Sequence, residues 1–244
     1  MPQSTLTSWF SKASPAPTVV ENGEQNVKPQ QETLDHDKTR GDNLEDEPTH
    51  LTSKYPSKLK LPPNVELRAC RKEDIKGFKK LNSLLLPIPY GDSFYREILE
   101  DDLTNSITLM ALWHDDASNL DKEKGLLVGA IRCRLFAQPL VDASSIKRKR
   151  GPMLYLSTLV LLSPYRSHGI ASCMLELMVK RAVEDHGITS IGAHVWEANE
   201  EGLAWYHKRG FREVGREEGY YRRLNPQGAV VMQKDVGVMD LVAG

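Results

Sequence analysis

The spacing Arg166-Ser-His-Gly169-Ile-Ala171 places small residues where backbone must come close to a ligand. A strand-like apolar run precedes this loop at 154–162, and a helical pattern follows it at 170–184. Free backbone N–H groups and the dipole at such a helix N-terminus favour a diphosphate. The alternative is an ordinary strand-to-helix turn, because short glycine patterns recur by chance. The flanking strand and helix favour the anion site.

Hydrophobic periodicity predicts the elements that must hold this loop. The predicted strands lie at 65–69, 107–114, 126–136, 153–162, 190–195, 213–217 and 229–233. The predicted helices lie at 73–86, 94–100, 170–184 and 201–209, and Gly187 and Gly210 are placed to end the last two. Polar segments at 115–124 and 137–152 separate the second, third and fourth strands. The mixed order of strands and helices predicts an α/β protein of the α+β three-layer kind.

Composition argues against several classes of function. The 244 residues carry a net charge of −1, so bulk attraction to nucleic acid or to an anionic membrane is not indicated. No apolar run approaches the roughly 20 residues of a membrane helix, and the N-terminus carries no apolar signal core. Cys70, Cys133 and Cys173 are widely separated. They fit neither a disulfide framework nor a zinc site, so we expect no metal and three small buried residues.

The first 60 residues differ in composition from the rest. No aromatic residue occurs from Ser11 to Lys54, where Pro, Glu, Gln, Asn, Thr and Asp dominate. Such a segment cannot bury enough apolar surface to offset its ordering entropy, so we expect disorder. The predicted organisation is a short motif at 1–12, a disordered linker at 13–60, one folded domain at 61–236 and a C-terminal tail at 237–244.

Four segments carry a family resemblance through their order and spacing. They are the loop at 166–171, Leu-Leu-Pro-Ile-Pro-Tyr at 85–90, Tyr-Leu-Ser-Thr-Leu at 155–159 and Gly-Tyr-Tyr-Arg-Arg-Leu at 219–224. Together they resemble the GNAT acetyltransferases and, within them, the NatE type of N-terminal acetyltransferase, from about residue 61 to residue 234. The resemblance implies the GNAT fold, a mixed central β-sheet with splayed central strands flanked by helices, and acetyl-CoA as co-substrate.

The same resemblance implies a catalytic pair. Tyr155 and His194 match the tyrosine and histidine that NatE-type enzymes use as bases, acting through water. A histidine, with an ordinary pKa of about 6.5, suits this role near neutral pH, whereas a tyrosine, at about 10, needs a shifted pKa or serves to orient water. The alternatives are a strand-edge tyrosine and a satisfied core histidine. The shared context favours the catalytic interpretation.

The resemblance also implies two sets of binding residues. Coenzyme binding is assigned to the backbone of Leu159, Val160 and Leu161, to Arg166, Ser167, His168, Gly169, Ile170 and Ala171, and to Asn199 and Tyr206. The Tyr206 hydroxyl would donate to the departing sulfur, although Trp205, Tyr206 and Phe211 are also compatible with core packing. Substrate binding is assigned to Leu86, Pro87, Ile88, Tyr90, Tyr220, Tyr221 and Leu224, which combine an apolar slot with hydroxyls for the peptide backbone. Leu86 stands where relatives have an aromatic residue.

A separate motif opens the chain. Gln3, Leu6, Trp9 and Phe10 have the spacing of a PIP box, which binds the sliding clamp PCNA. One helical turn would place Leu6, Trp9 and Phe10 on a single face that fills an apolar pocket, with Gln3 in a small polar one. The segment that follows contains too few apolar residues to form a core with Trp9 and Phe10. Clamp binding is therefore favoured over a weakly sticky terminus or a segment folded back on the domain.

These observations predict an N-α-acetyltransferase, and the family implies peptides that start with Met followed by a hydrophobic residue. The alternatives are a lysine acetyltransferase acting on chromatin or cohesin, and a non-catalytic scaffold on the clamp or the ribosome. Expected partners are N-terminal peptides, PCNA and another N-terminal acetyltransferase complex at the ribosome, without membrane or direct nucleic-acid binding. We expect a cytoplasmic protein. The basic run at 147–150 is compatible with a nuclear import signal, with a phosphate contact or with a solvated hairpin. Entry into the nucleus therefore stays open.

Overall fold

The computed structural model describes residues 59–120, 122–137 and 151–236. The structure therefore bears on the predicted folded domain at 61–236. The PIP-box residues Gln3, Leu6, Trp9 and Phe10, nearly all of the predicted linker, the basic run at 147–150 and the tail at 237–244 lie outside the described residues. Within these three described ranges, no helix has the length and apolar character needed to cross a membrane.

In the described residues, seven strands form one mixed sheet in the order β1-β2-β3-β4-β5-β7-β6. Their bounds are β1 Val65–Ala69, β2 Thr108–Trp113, β3 Leu126–Phe136, β4 Met153–Leu161, β5 Ser190–Trp196, β6 Arg212–Glu217 and β7 Ala229–Asp235. The helices are α1 Ile75–Leu85, α2 Asp92–Glu100, α3 Asp102–Ser106, α4 Ile170–His186 and α5 Glu200–His207. Neighbouring strands are antiparallel except β4 and β5, which run parallel.

The parallel strands β4 and β5 separate after a short ladder. Three residue pairs join them, and the last of these pairs is Tyr155 with Gly192. Beyond it, β4 continues to Leu161 with β3 as its partner on the other side, and β5 continues to Trp196. The sheet therefore opens into a V. The splayed central strands expected from the sequence are confirmed, and Tyr155 stands at the point where they part.

Helices cover both faces of the sheet, because successive side chains of a strand point to opposite sides. On β2, Leu109 and Ala111 join the core that contains α4, whereas Met110 and Leu112 join the core that contains α1 and α2. All nine residues of β4 are buried, as suits a central strand with helices on both faces. The predicted three-layer arrangement is confirmed.

Glycines occupy the two predicted helix stops. Gly187 follows α4 with φ of 59°, and Gly210 lies in the turn after α5 with φ of 80°. This left-handed conformation costs other residues energy, whereas glycine has no Cβ to clash. The helix that follows the loop at 166–171 therefore has a defined end.

The bounds of α2, α4 and α5 differ from the predicted ones by one or two residues at an end, and two further differences have a clear physical reason. α1 begins at Ile75 rather than at 73, because a 3-10 turn precedes it, in which Asp74 Oδ2 lies 2.6 Å from Arg68 Nη1 in a buried ion pair. The short α3 was not predicted, because its five residues contain one apolar side chain, too few for a periodic signal. A local signal for α3 does exist: the Asp101 carboxylate caps the helix by accepting from the Thr104 N–H.

Candidate active site

The loop between β4 and α4 has the backbone shape that its sequence predicts. A 3-10 turn at Ser163–Tyr165 leads into Arg166, and Gly169 adopts φ of 80° immediately before α4. Ser167 also lies in the left-handed region, at φ of 65°, where a non-glycine residue is uncommon and often marks a functional site. The loop therefore presents the N-terminus of α4, with its N–H groups and dipole, to the adjoining cavity.

A cavity of about 620 Å³ lies between this loop and α5. Six of the predicted coenzyme residues line it, namely Leu161, Arg166, Ser167, Gly169, Ile170 and Ala171. On the α5 side, Lys208 and Arg209 add positive charge to the lining, and Glu201 adds a carboxylate. The volume is in the range of cofactor sites, and the excess of cations suits a ligand that carries phosphates.

Two arginines shape this cavity. Arg166 Nε donates to the Leu161 carbonyl at 3.1 Å, so its side chain ties the loop to the end of β4. The Arg209 guanidinium lies 3.7 Å over the Trp205 ring, and its Nε and Nη2 donate to Ser172 Oγ at 3.1 and 2.5 Å. α5 is thereby joined to the first turn of α4. Arg209 was not identified from the sequence, since its partner is 37 residues away.

Asn199 and Tyr206 lie at opposite ends of α5. Asn199 caps the helix, with Oδ1 accepting from the Gly202 N–H at 3.1 Å. Its Nδ2 is buried and has no hydrogen-bond partner among the described residues, so it is a donor that a ligand would satisfy. Tyr206 is buried, with edge-on contacts to Trp205 and Phe211. These contacts agree with core packing, and the sulfur contact of Tyr206 stays a prediction.

The remaining predicted coenzyme residues differ in where they lie. Leu159 and Val160 pair with β3, and the register of the β5 ladder does not reach them. They therefore lie beside the gap in the sheet, as the prediction of a backbone contact requires. The His168 side chain is exposed, with Nδ1 2.7 Å from the Arg166 carbonyl oxygen and its ring edge-on to Trp113. The structure does not bring this side chain into the cavity lining.

Tyr155 and His194 meet across the parallel ladder. Tyr155 Oη lies 3.1 Å from His194 Nδ1 and 3.1 Å from the Tyr220 hydroxyl. Tyr220 stacks on the His194 ring with centroids 4.2 Å apart, and the Tyr221 hydroxyl donates to the His194 carbonyl at 3.2 Å. The structure thus brings both predicted bases and the predicted tyrosine pair into one hydrogen-bonded cluster.

The His194 ring is held in its neutral form by its surroundings. Burial lowers the pKa of the ring below its ordinary value, and the Glu217 carboxylate partly offsets that effect. Glu217 Oε1 lies 3.0 Å from Nε2 in an ion pair, although Nε2 has no hydrogen bond of ordinary geometry within the described part of the chain. A histidine with a lowered pKa can accept a proton at neutral pH. Glu217 was missed by sequence reasoning, and no local pattern marks it.

The loop between α1 and α2 is fixed against β4. Tyr90 stacks on Phe94, with centroids 3.8 Å apart, and its hydroxyl donates to the Ser157 carbonyl at 2.7 Å. Burial raises the pKa of Tyr90 well above its usual range, so the hydroxyl keeps its proton. Of the other predicted substrate residues, Leu86 is buried, Ile88 and Leu224 are half-buried, and Pro87 is exposed.

A buried guanidinium supports this wall of the site and was not predicted. Arg132 is fully buried, lies 3.9 Å over the Phe94 ring and is 2.5 Å from Glu97. Arg134, which pairs with Tyr155 on the neighbouring strand, reaches the same Glu97 oxygen at 3.2 Å. The cluster depends on how α2 packs against β3, so the sequence pattern of either element alone does not reveal it.

The cysteines are placed as the sequence predicts. Cys70, Cys133 and Cys173 are all buried and free. Burial raises the pKa of each thiol, to about 12 for Cys70 and about 11 for Cys173, so these thiols are poor nucleophiles. Across the described ranges, no group of three or more His, Cys, Asp or Glu side chains is arranged to hold a metal ion.

Comparisons with known proteins agree with this geometry. The family model described as Acetyltransferase (GNAT) family matches residues 76–211. "Probable N-acetyltransferase san" of Drosophila melanogaster is 34% identical over 171 residues, which are 70% of this chain and 80% of that protein. N-alpha-acetyltransferase 50 of Danio rerio is 32% identical over 172 residues, which are 70% of this chain and 89% of that protein. The structure of Arabidopsis thaliana Naa50 in complex with the bisubstrate analogue CoA-Ac-MVNAL matches with a TM-score of 0.57 and 27% identity, covering 71% of this chain and 99% of that one.

Proposed function

Because the chain belongs to the GNAT family of acetyltransferases, we propose that it transfers the acetyl group of acetyl-CoA to the free α-amine at the N-terminus of a peptide or protein. The observation that carries this proposal is the cluster of Tyr155, His194 and Tyr220 where β4 and β5 part. At the far end of β4 lies the cavity that begins at Leu161. Strand β4 therefore links the cavity, through Leu161, to the proton-accepting cluster, through Tyr155.

Acetyl-CoA supplies an activated thioester, and the protein must supply a neutral amine. The α-amine has an ordinary pKa of about 7.7–8.0, so a base that accepts its proton raises the fraction that can attack. Tyr155 is buried and its hydroxyl meets His194 Nδ1. His194, with its lowered pKa, is available as the final proton acceptor near neutral pH. Tyr155 then orients the amine or an intervening water and passes the proton inward.

The residues around the cavity fit the coenzyme. The N-terminus of α4 and the side chain of Lys208 offer positive potential for a diphosphate. The buried Nδ2 of Asn199 is a donor that a ligand acceptor would satisfy. The backbone of Leu159 and Val160, beside the gap in the sheet, is our assignment for the acetyl carbonyl.

The peptide end combines apolar and hydroxyl groups. We assign Leu86, Ile88 and Leu224 to the apolar slot for the first-residue side chain; Leu86 is buried, and the other two are half-buried. Tyr90 donates to the Ser157 carbonyl of β4, so its contribution is to fix the loop that borders the peptide site. We propose that Met followed by a hydrophobic residue is the preferred N-terminus, because an unbranched thioether adapts to a slot without an aromatic residue at position 86.

A peptide panel tests the acceptor. A peptide that begins Met-Leu with a free α-amine is expected to be acetylated faster than one that begins Ser-Glu, and much faster than an N-blocked peptide whose one amine is a lysine side chain. The measurement is the initial rate with acetyl-CoA, with the acetylated position read by mass spectrometry. A faster rate on the N-blocked lysine peptide would identify a lysine acetyltransferase. No transfer to any peptide would favour a scaffold.

We also propose that the segment at 1–12 binds PCNA, on the strength of Gln3, Leu6, Trp9 and Phe10 in a PIP-box spacing. A peptide of residues 1–20 is expected to bind PCNA in the micromolar range, since a segment without its own core must be ordered on binding. Isothermal calorimetry measures the affinity. The peptide carrying both Trp9→Ala and Phe10→Ala should lose binding.

The same pair of substitutions in the full chain is the control for this proposal. It should leave peptide acetylation unchanged, because the catalytic cluster lies in the domain at 61–236. Absence of PCNA binding by the wild-type peptide at high micromolar concentration would refute the clamp proposal and leave the proposed enzyme activity standing.

A further inference from the structure

The ring of His194 is enclosed by groups from three elements. Tyr155 on β4 faces Nδ1, Tyr220 stacks on the ring from the β6–β7 connection, and Tyr221 from the same connection binds the His194 carbonyl. Glu217, the last residue of β6, faces Nε2 at 3.0 Å. Among the described residues in contact with this ring, Glu217 alone brings a full negative charge at neutral pH.

We infer that Glu217 is a positioning residue for acetyl transfer, which acts through His194 by fixing its tautomer and stabilising its protonated form. The inference rests on the proposed function, in which Tyr155 and His194 move the proton of the substrate amine. No contact between Glu217 and the substrate is required.

The tautomer follows from the chemistry of the partners. An ionised carboxylate only accepts hydrogen bonds, so its place beside Nε2 favours the ring form that carries its proton on Nε2. Nδ1 is then left with a lone pair, and the Tyr155 hydroxyl must donate to it. Because the Tyr155 hydroxyl proton points at Nδ1, the Tyr155 oxygen accepts the hydrogen bond from the Tyr220 hydroxyl. The same oxygen accepts the proton that comes from the substrate.

The proton transfer then balances at each atom. The amine, or a water bound to it, gives a proton to Tyr155 Oη, and the hydroxyl proton of Tyr155 moves to His194 Nδ1. The ring becomes an imidazolium, and its positive charge lies against the Glu217 carboxylate. The Glu217 side chain is 50% exposed, whereas that of His194 is 5% exposed. The carboxylate therefore also connects the buried ring to solvent, where the proton is finally released.

The exposure of Glu217 also leaves its carboxylate room to move relative to Nε2. Its carboxylate lies close to Nε2 but outside ordinary hydrogen-bond geometry. A half-exposed side chain can rotate about its terminal torsion, which is broad for glutamate. Formation of a charged imidazolium would draw the carboxylate into line, since charge-assisted hydrogen bonds are about twice as strong as neutral ones.

The test is the pH profile of Glu217→Gln, with Glu218→Gln as the matched control. Glu218 is the next residue and is exposed. Glu217→Gln is expected to lower the plateau of kcat about five- to twenty-fold, with KM values for peptide and acetyl-CoA within two-fold of wild type. Loss of the carboxylate lowers the pKa of His194, so the acid limb of kcat/KM should move to lower pH by roughly one unit. Glu217→Asp should recover part of the plateau, and Glu218→Gln should match wild type.

A second readout needs no substrate and separates this inference from the proposed function. Nitrogen-15 NMR of the full chain reports which nitrogen of the neutral His194 ring carries the proton, with His194→Ala used to assign the signal. Wild type should carry it on Nε2, and Glu217→Gln should give a mixture of tautomers with a lower ring pKa. An unmoved acid limb together with an unchanged tautomer would overturn the role of Glu217. Wild-type protein inactive on every free N-terminus would overturn the proposed function, and the NMR result would still decide the coupling.

Discussion

Tyr155→Phe and His194→Ala are each expected to lower kcat by roughly ten- to a few thousand-fold, the usual range for positioned groups that transfer protons. The tyrosine hydroxyl joins His194 Nδ1 to the Tyr220 hydroxyl, so its removal breaks both links at once. The phenylalanine ring keeps the packing against Phe136, whose centroid lies 5.3 Å away. Steady-state kinetics with a Met-Leu peptide measures the loss.

The double variant provides a sharper form of this prediction. Because Tyr155 and His194 act in one hydrogen-bonded unit, the combined loss should be close to the larger single loss rather than to the product of the two. Acetyl-CoA affinity, measured by calorimetry, should barely change, since neither side chain lines the cavity that we assign to the coenzyme. Full turnover in both single variants would remove the pair from the chemistry.

Gly169→Glu is expected to weaken acetyl-CoA binding at least ten-fold, which corresponds to about 1.4 kcal/mol of lost binding free energy. Gly169 lies at φ of 80°, where a side chain is strained. The Cβ would meet no protein atom closer than the Lys60 carbonyl oxygen at 3.9 Å, so the new carboxylate would project into space that we assign to the ligand. Negative charge there opposes both the phosphates and the dipole of α4.

Gly187→Glu is the matched control for this substitution. Gly187 has φ of 59°, its Cβ would meet nothing within 4 Å, and it lies at the opposite end of α4. The backbone strain is therefore similar, while the added charge lies a helix length from the loop. Calorimetry on the folded variants should give wild-type affinity for Gly187→Glu. Wild-type affinity for Gly169→Glu as well would exclude the loop from the coenzyme site.

The regular elements and the loop could be predicted because their signals are local. β4 is a continuous apolar run, and the left-handed glycines at 169 and 187 bracket a helix whose apolar residues recur at helical spacing. The pairing of Tyr155 with His194 was accessible through the family resemblance, because Tyr155 opens one of the four matching segments and His194 lies on the next predicted strand.

The contacts of Glu217 and Arg132 could not be predicted from local sequence patterns or from the family resemblance. Glu217 lies on β6, which β7 separates from β5 in the sheet, so neither chain order nor the pairing of adjacent strands links it to His194. Arg132 is a charged residue inside a strand, and its burial is tolerated because Glu97 and the Phe94 ring come from a separate helix. Such features depend on tertiary packing, for which a single sequence carries no periodic signal.

The two halves of the site share β4, which links the unfolding of one half to that of the other. Tyr155 and Leu161 lie about 20 Å apart along the strand at roughly 3.3 Å per residue. Central, fully buried strands exchange their amide protons through global opening rather than through local fluctuation. Tyr155 and the rim of the assigned coenzyme cavity at Leu161 are thus expected to unfold together. Thermal inactivation is therefore expected to follow unfolding of the domain rather than the melting of a mobile lid.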